Sequence, residues 1–128
     1  MKIENINIEI DDQTIIDEII TALEGGSNYW YNLDPDDLIP FRQAYTGMPL
    51  SEKVARAVLE KGITIKIWDA EDNEELLGEL SRDGIYTGFA KMIQEYPYVF
   101  ANITTQQSDA SDSDILLQLA VMNEVKFG

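Results

Sequence analysis

Residues 3–26 read IENINIEIDDQTIIDEIITALEGG, and this stretch decides the fold class. Ile6, Ile8 and Ile10 alternate with polar residues, the two-residue period of a strand with one buried face. The period then changes: Ile15, Ile16, Ile19, Ile20 and Leu23 recur at helical spacing, with Asp17 and Glu18 on the wet side. Asp11 or Asp12 supplies a side-chain oxygen for the first free N–H groups of that helix, and Gly25-Gly26 ends it. A strand feeding directly into an amphipathic helix points to a layered α+β domain.

The rest of the chain repeats this alternation of periods. An aromatic run, Ser27 to Leu33, leads into the turn-forming Asp34-Pro35-Asp36-Asp37, and residues up to Pro49 read as irregular with one helical turn around Leu38 to Tyr45. Ser51 is the expected cap of a helix carrying Val54, Ala57, Val58 and Leu59, stopped by Gly62. Ile63, Ile65 and Ile67 then alternate with Thr64, Lys66 and Trp68, and a turn over 69–73 returns through a second strand at Leu76 to Leu80.

Ile85, Phe89, Met92 and Ile93 stripe a third helix that must end before Pro97. Tyr98 to Thr104 reads as a strand, and Asp112 or Ser113 as the cap of a final helix with Ile115, Leu116, Leu119 and Ala120. The tail Glu124 to Gly128 reads as a short closing strand. No internal repeat or long linker divides the 128 residues. The expectation is one α+β domain over 1–128, a small mixed or antiparallel sheet packed with three to four helices; 45% hydrophobic content is enough for a single core.

Composition narrows the chemistry. There is no cysteine, hence no disulfide framework, thiolate metal site or cysteine nucleophile. There is no histidine, which removes the commonest general base and metal ligand. No glycine-rich phosphate loop is present, because Gly25-Gly26 closes a helix rather than opening one. What remains is carboxylate chemistry, and no pair of acids is singled out. Asp69-Ala70-Glu71-Asp72-Asn73 begins like a calcium loop but lacks its sixth-position glycine and twelfth-position glutamate, so it reads as a hairpin turn. Asp109, Asp112 and Asp114 could gather around magnesium but read better as turn and helix-start residues. Neither enzyme activity, nor a metal, nor a cofactor is expected.

The chain carries 24 Asp+Glu against 9 Lys+Arg, a formal net charge of −15. Such a charge repels nucleic acid and anionic lipid and attracts basic surfaces, including protein surfaces built to hold DNA or RNA. It also serves solubility alone. A protein partner with a basic surface is therefore expected, with no direct nucleic-acid or membrane contact. The opening Met1-Lys2-Ile3-Glu4-Asn5 lacks a secretory leader pattern and no apolar run approaches a membrane span, so the expected location is cytoplasmic. An exposed terminal strand would allow pairing into a homodimer.

Two sets of residues are candidates for a binding site. Asn28, Tyr29, Trp30, Tyr31 and Asn32 combine flat faces for stacking with amides for hydrogen bonding, against the plainer reading that the aromatics fill the core. Arg42, Arg56 and Arg82, with Lys91, are few among so much acid. Two converging arginines could grip a phosphate, which with the aromatic run would make a binder of small nucleotides; as isolated residues they balance nearby acids.

Three segments together resemble a family of small uncharacterised bacteriophage and prophage proteins: Leu23 to Tyr31 (LEGGSNYWY), Gly62 to Asp72 ending in Trp68-Asp69-Ala70-Glu71-Asp72, and Asp109 to Ala120 (DASDSDILLQLA). Their order is kept and they spread across nearly the whole chain. Relatives in that family close on phenylalanine-glycine-glutamate, a hydrophobic residue and a terminal glycine, a pattern that Met122 to Gly128 follows only in part. The family carries no assigned catalytic residues. What the resemblance implies is a setting, accessory function inside an infected bacterial cell, and with it a non-enzymatic inhibitor of a nucleic-acid-targeting host defence, of anti-CRISPR or anti-restriction type. A regulator or assembly factor for a phage protein is the further expectation.

Overall fold

A computed structural model describes residues 1–3, 9–41 and 43–128. Its elements in chain order are α1 (Asp12–Thr21), which widens into a π-turn (Ala22–Gly26); β1 (Tyr31–Leu33); a 3₁₀ segment (Pro35–Phe41); α2 (Leu50–Lys61); β2 (Ile65–Asp69); β3 (Leu76–Leu80); α3 (Arg82–Glu95); α4 (Pro97–Thr104); and α5 (Ala110–Met122). The three strands form one antiparallel sheet in the order β1-β2-β3. This is the expected α+β class, with helices outweighing the sheet.

The organising element is α5. Leu116, Leu117, Leu119 and Ala120 are buried, and so are Ser113, Asp114 and Gln118, so apolar and polar flanks alike are covered. A helix buried on most sides needs neighbours that come close, and glycine provides the room. A Cβ added at Gly26, Gly78 or Gly84 would lie 2.3, 2.4 or 2.5 Å from a backbone oxygen of α5, and one at Gly88 would lie 2.9 Å from the Ala120 nitrogen. The π-turn, β3 and α3 thus approach α5 almost backbone to backbone. Phe89, Met92, Ile15, Ile19, Leu59, Ile65, Ile67 and Leu80 fill the same core.

Most local readings hold. Asp11 caps α1 by accepting from Gln13 N–H, and Gly62 closes α2 in the left-handed region at φ 69°. The β2–β3 hairpin and the end of α3 before Pro97 are as expected. The opening strand falls largely on residues 4–8, outside the described residues; Lys2 and Glu9 form an antiparallel bridge on either side of them.

Four local expectations are corrected. Tyr98 to Thr104 is helical, not a strand: Pro97 sits at the first helical position, where its missing N–H costs nothing, and Val99 and Ile103 bury one helical face four residues apart. The cap of α5 is Asp109, which accepts from Asp112 N–H while Asp112 accepts from Asp109 N–H in a capping box. Helix α2 begins at Leu50, and Ser51 spends its hydroxyl on Glu24 instead of on a cap. The tail forms no strand among the described residues, because its backbone is held by a side chain on α5.

Gly26 and Gly25 separate close approach from mere helix-ending. Gly26→Ala must push the π-turn off Ala110 and should cost about 1–3 kcal/mol, whereas Gly25, with nothing within 4 Å of an added Cβ, should accept alanine within about 0.5 kcal/mol. Urea unfolding of the two variants checks this; equal effects would remove the close-packing account.

Candidate functional site

The centre of the aromatic run expected to bind a ligand is committed to the protein's own interior, while Asn28, Tyr29 and Asn32 stay exposed. Trp30 is 2% exposed. Its indole N–H donates to Asp114 Oδ1 at 2.7 Å, the Ser27 hydroxyl donates to the same oxygen at 2.7 Å, and the Tyr29 hydroxyl donates to Oδ2 at 2.6 Å. Gln118, one turn along α5, adds an N–H at 3.2 Å. Asp114 is 8% exposed and forms no ion pair among the described residues. Its charge is instead spread over four donors.

The same cluster holds the chain's end. Gln118 Oε1 accepts both Lys126 N–H and Phe127 N–H at 2.9 Å, its Nε2 donates to the Phe127 carbonyl, and the Phe127 ring stacks on Trp30 at 5.5 Å between centroids. Tyr31 donates to the Leu23 carbonyl. Glu18, expected in solvent, is buried and accepts from Ser108 and Ser113, a second carboxylate tying α1 through hydroxyls to α5 and the loop before it. Asp109, Asp112 and Asp114 divide between the cap and this cluster, and among the described residues no three acids are grouped to hold a metal.

The arginine candidates do not join the aromatics. Arg56 pairs with Glu52 at 2.7 Å and Glu60 at 3.3 Å along α2, and these contacts, led by the Glu52 hydrogen bond, push its pKa up. Arg82 is exposed at the start of α3, and Arg42 lies outside the described residues. Lys91 donates to the Asn123 carbonyl at the end of α5. Asn28 is exposed in the turn before β1.

Asn32 leads elsewhere. On β2, Ile65 and Ile67 face the core, so Lys66 and Trp68 face outward, and the register places Asn32 and Leu76 on either side of Trp68. A bulge between Ile67 and Trp68 resets the pairing there. Asn32, Leu33, Asp34, Trp68 and Asn73 line a surface pocket of about 290 Å³, and Asn32 Nδ2 donates to Asn73 Oδ1 at 2.7 Å across its edge. Residues 67–81 contain six carboxylates and no lysine or arginine. Asp69 accepts from Glu71 and Asp72 N–H, and Asp72 from Glu74 N–H, so the loop once compared with a calcium site is a turn held by its own side chains. Asp34, Asp36 and Asp37 follow β1 toward the start of β2, with Asp37 Oδ2 accepting Lys66 N–H.

Sequence reasoning passed over Trp68, Asp34 and Asn73 as a site. The available signal was the phase of the strand: a tryptophan on the solvent-facing side of an isoleucine alternation, beside an acidic turn.

No protein-family model, curated protein or solved structure matches the chain. The three segments quoted together above do meet in space, since Asp114 binds Ser27, Tyr29 and Trp30, Ala70 N–H donates to the Trp30 carbonyl, and Tyr31 pairs with Asp69. Among the described residues no helix is long and apolar enough to cross a membrane.

Burial first, then the hydrogen bond to Asp114 and its charge, push the Tyr29 phenol from 10.0 up to about 12. A phenol held neutral in the fold contributes stability that is complete below the ordinary pKa and is lost as pH climbs through about 10 to 12. The difference in absorbance titration between the wild type and Tyr29→Phe should show one tyrosine ionising near the upper value; a difference centred near 10 would contradict the hydrogen bond.

Proposed function

We propose that this protein is a non-enzymatic phage accessory protein that acts by binding, and that its partner is the basic, nucleic-acid-holding surface of a host defence nuclease of the CRISPR or restriction type. The observation that carries the reading is the run of exposed carboxylates along the β2–β3 turn at one end of the sheet, with Asp34, Asp36 and Asp37 following β1 along its edge toward Lys66. An acidic end of this kind competes for the lysines and arginines that otherwise hold phosphate. The resemblance of three segments to phage proteins supplies the setting, a bacterial cytoplasm. The lack of histidine and cysteine removes the usual catalytic groups and favours binding over turnover.

The alternative of a nucleotide-sequestering protein rested on Tyr29, Trp30 and Tyr31 stacking on a base while arginines held phosphate. It loses support because Trp30 is buried and Arg56 is engaged by its own helix.

Binding and inhibition assays against a panel of purified restriction and CRISPR nucleases at moderate salt test the proposal. The expected outcome is tight, salt-weakened binding and inhibition of at least one, reduced by reversing the charges of Glu71 and Glu74. Failure to bind or inhibit any of them would remove it.

A further inference from the structure

We propose that the pocket around Trp68 is a seat for an arginine side chain presented by a basic protein partner. The proposal rests on the acidic-end reading above and gives that end a specific contact. Four features meet there. The Trp68 side chain lies on the outer sheet face, half-buried, and Trp68 lines the pocket, where an indole would attract a planar cation. Asp34 lines the same pocket, its Oδ1 accepting Asp36 N–H, and no lysine or arginine pairs with its carboxylate among the described residues. The Asn32 and Asn73 amides, bonded to one another, present a rim able to hydrogen-bond. The pocket, about 290 Å³, is roomy enough for a guanidinium and its stem.

Charge decides which flat group fits. A nucleotide base could stack on the indole, but its phosphates would enter a field set by Asp34, Asp36, Asp69, Glu71, Asp72 and Glu74, against which Lys66, on the same strand face and opposite Glu79, sets a single positive charge. A guanidinium gains from both the ring and the field. It stacks on aromatic faces and meets a carboxylate with two parallel N–H groups, geometry that a lysine ammonium does not reproduce. Bulk attraction to an acidic end treats arginine and lysine alike, so a preference for arginine that depends on Trp68 is the signature of the seat.

The test is calorimetric titration of the full chain with a hexaarginine and a hexalysine peptide at the same salt. Arginine should bind about three- to fivefold tighter than lysine. Trp68→Ala should bring the two affinities together while leaving the lysine value unchanged. Asp34→Asn, which keeps an oxygen for Asp36 N–H and removes only the charge, should weaken arginine more than lysine; thermal melts confirm that both variants stay folded. Equal affinities for the two peptides in the wild type, or a preference that survives Trp68→Ala, would overturn the seat. So would a neutral oligosaccharide that binds in a Trp68-dependent way while hexaarginine does not. If the seat fails yet both peptides weaken on reversing Glu71 and Glu74, the acidic-end reading stands without it; if neither peptide binds the wild type, both fall.

Discussion

A single buried carboxylate, Asp114, fixes how the chain closes. It draws Ser27, Tyr29 and Trp30 from the segment between α1 and β1, and Gln118 from its own helix, onto two oxygen atoms. A buried charge without a cation is tolerable only if its hydrogen-bonding capacity is met, so these donors are a condition of burial rather than an addition to it. Gln118 carries the constraint onward to Lys126 and Phe127, and Phe127 closes over Trp30. Glu18 repeats the device on the α1 side with two serine hydroxyls. The closeness that these bonds require is permitted by glycines facing α5, above all Gly26.

This interior network and the outer sheet face divide the aromatic residues between two tasks. Trp30 is spent on structure, and its carbonyl accepts Ala70 N–H, so the polar core also anchors the start of the hairpin turn. The sheet then holds Trp68 outward one residue before the acidic turn begins. The proposed binding end is therefore braced from beneath by the same residues that first suggest a ligand site.

The sequence made the fold class legible through elements whose periods were unmixed. The isoleucines of α1 and the alternation of β2 could be assigned on spacing alone. Tyr98 to Thr104 could not, because aromatic and β-branched residues favour strands as isolated types, while Pro97 and the four-residue interval between Val99 and Ile103 mark a helix start. Tertiary position overrode local expectation for Glu18 as well: nothing in its neighbourhood along the chain announces serines about ninety residues away. In the aromatic run, the plainer reading that aromatics there fill the core describes Trp30, whose partner Asp114 was weighed only as a turn acid or metal ligand. Asn32 alone of that run reaches the surface pocket. The remaining members of the pocket were hidden because a site made by adjacent strands and a turn has no contiguous motif.

The most direct measurement of the central claim is a double-mutant cycle between Asp114 and Trp30, with stability read from urea unfolding of the wild type, Asp114→Ala, Trp30→Phe and the double variant. Asp114→Ala strands several buried donors and should cost at least about 3 kcal/mol. The two changes should be coupled by about 1–2 kcal/mol, since removing either partner leaves the other unmatched. Additivity within about 0.3 kcal/mol, or an Asp114→Ala variant nearly as stable as the wild type, would contradict the account.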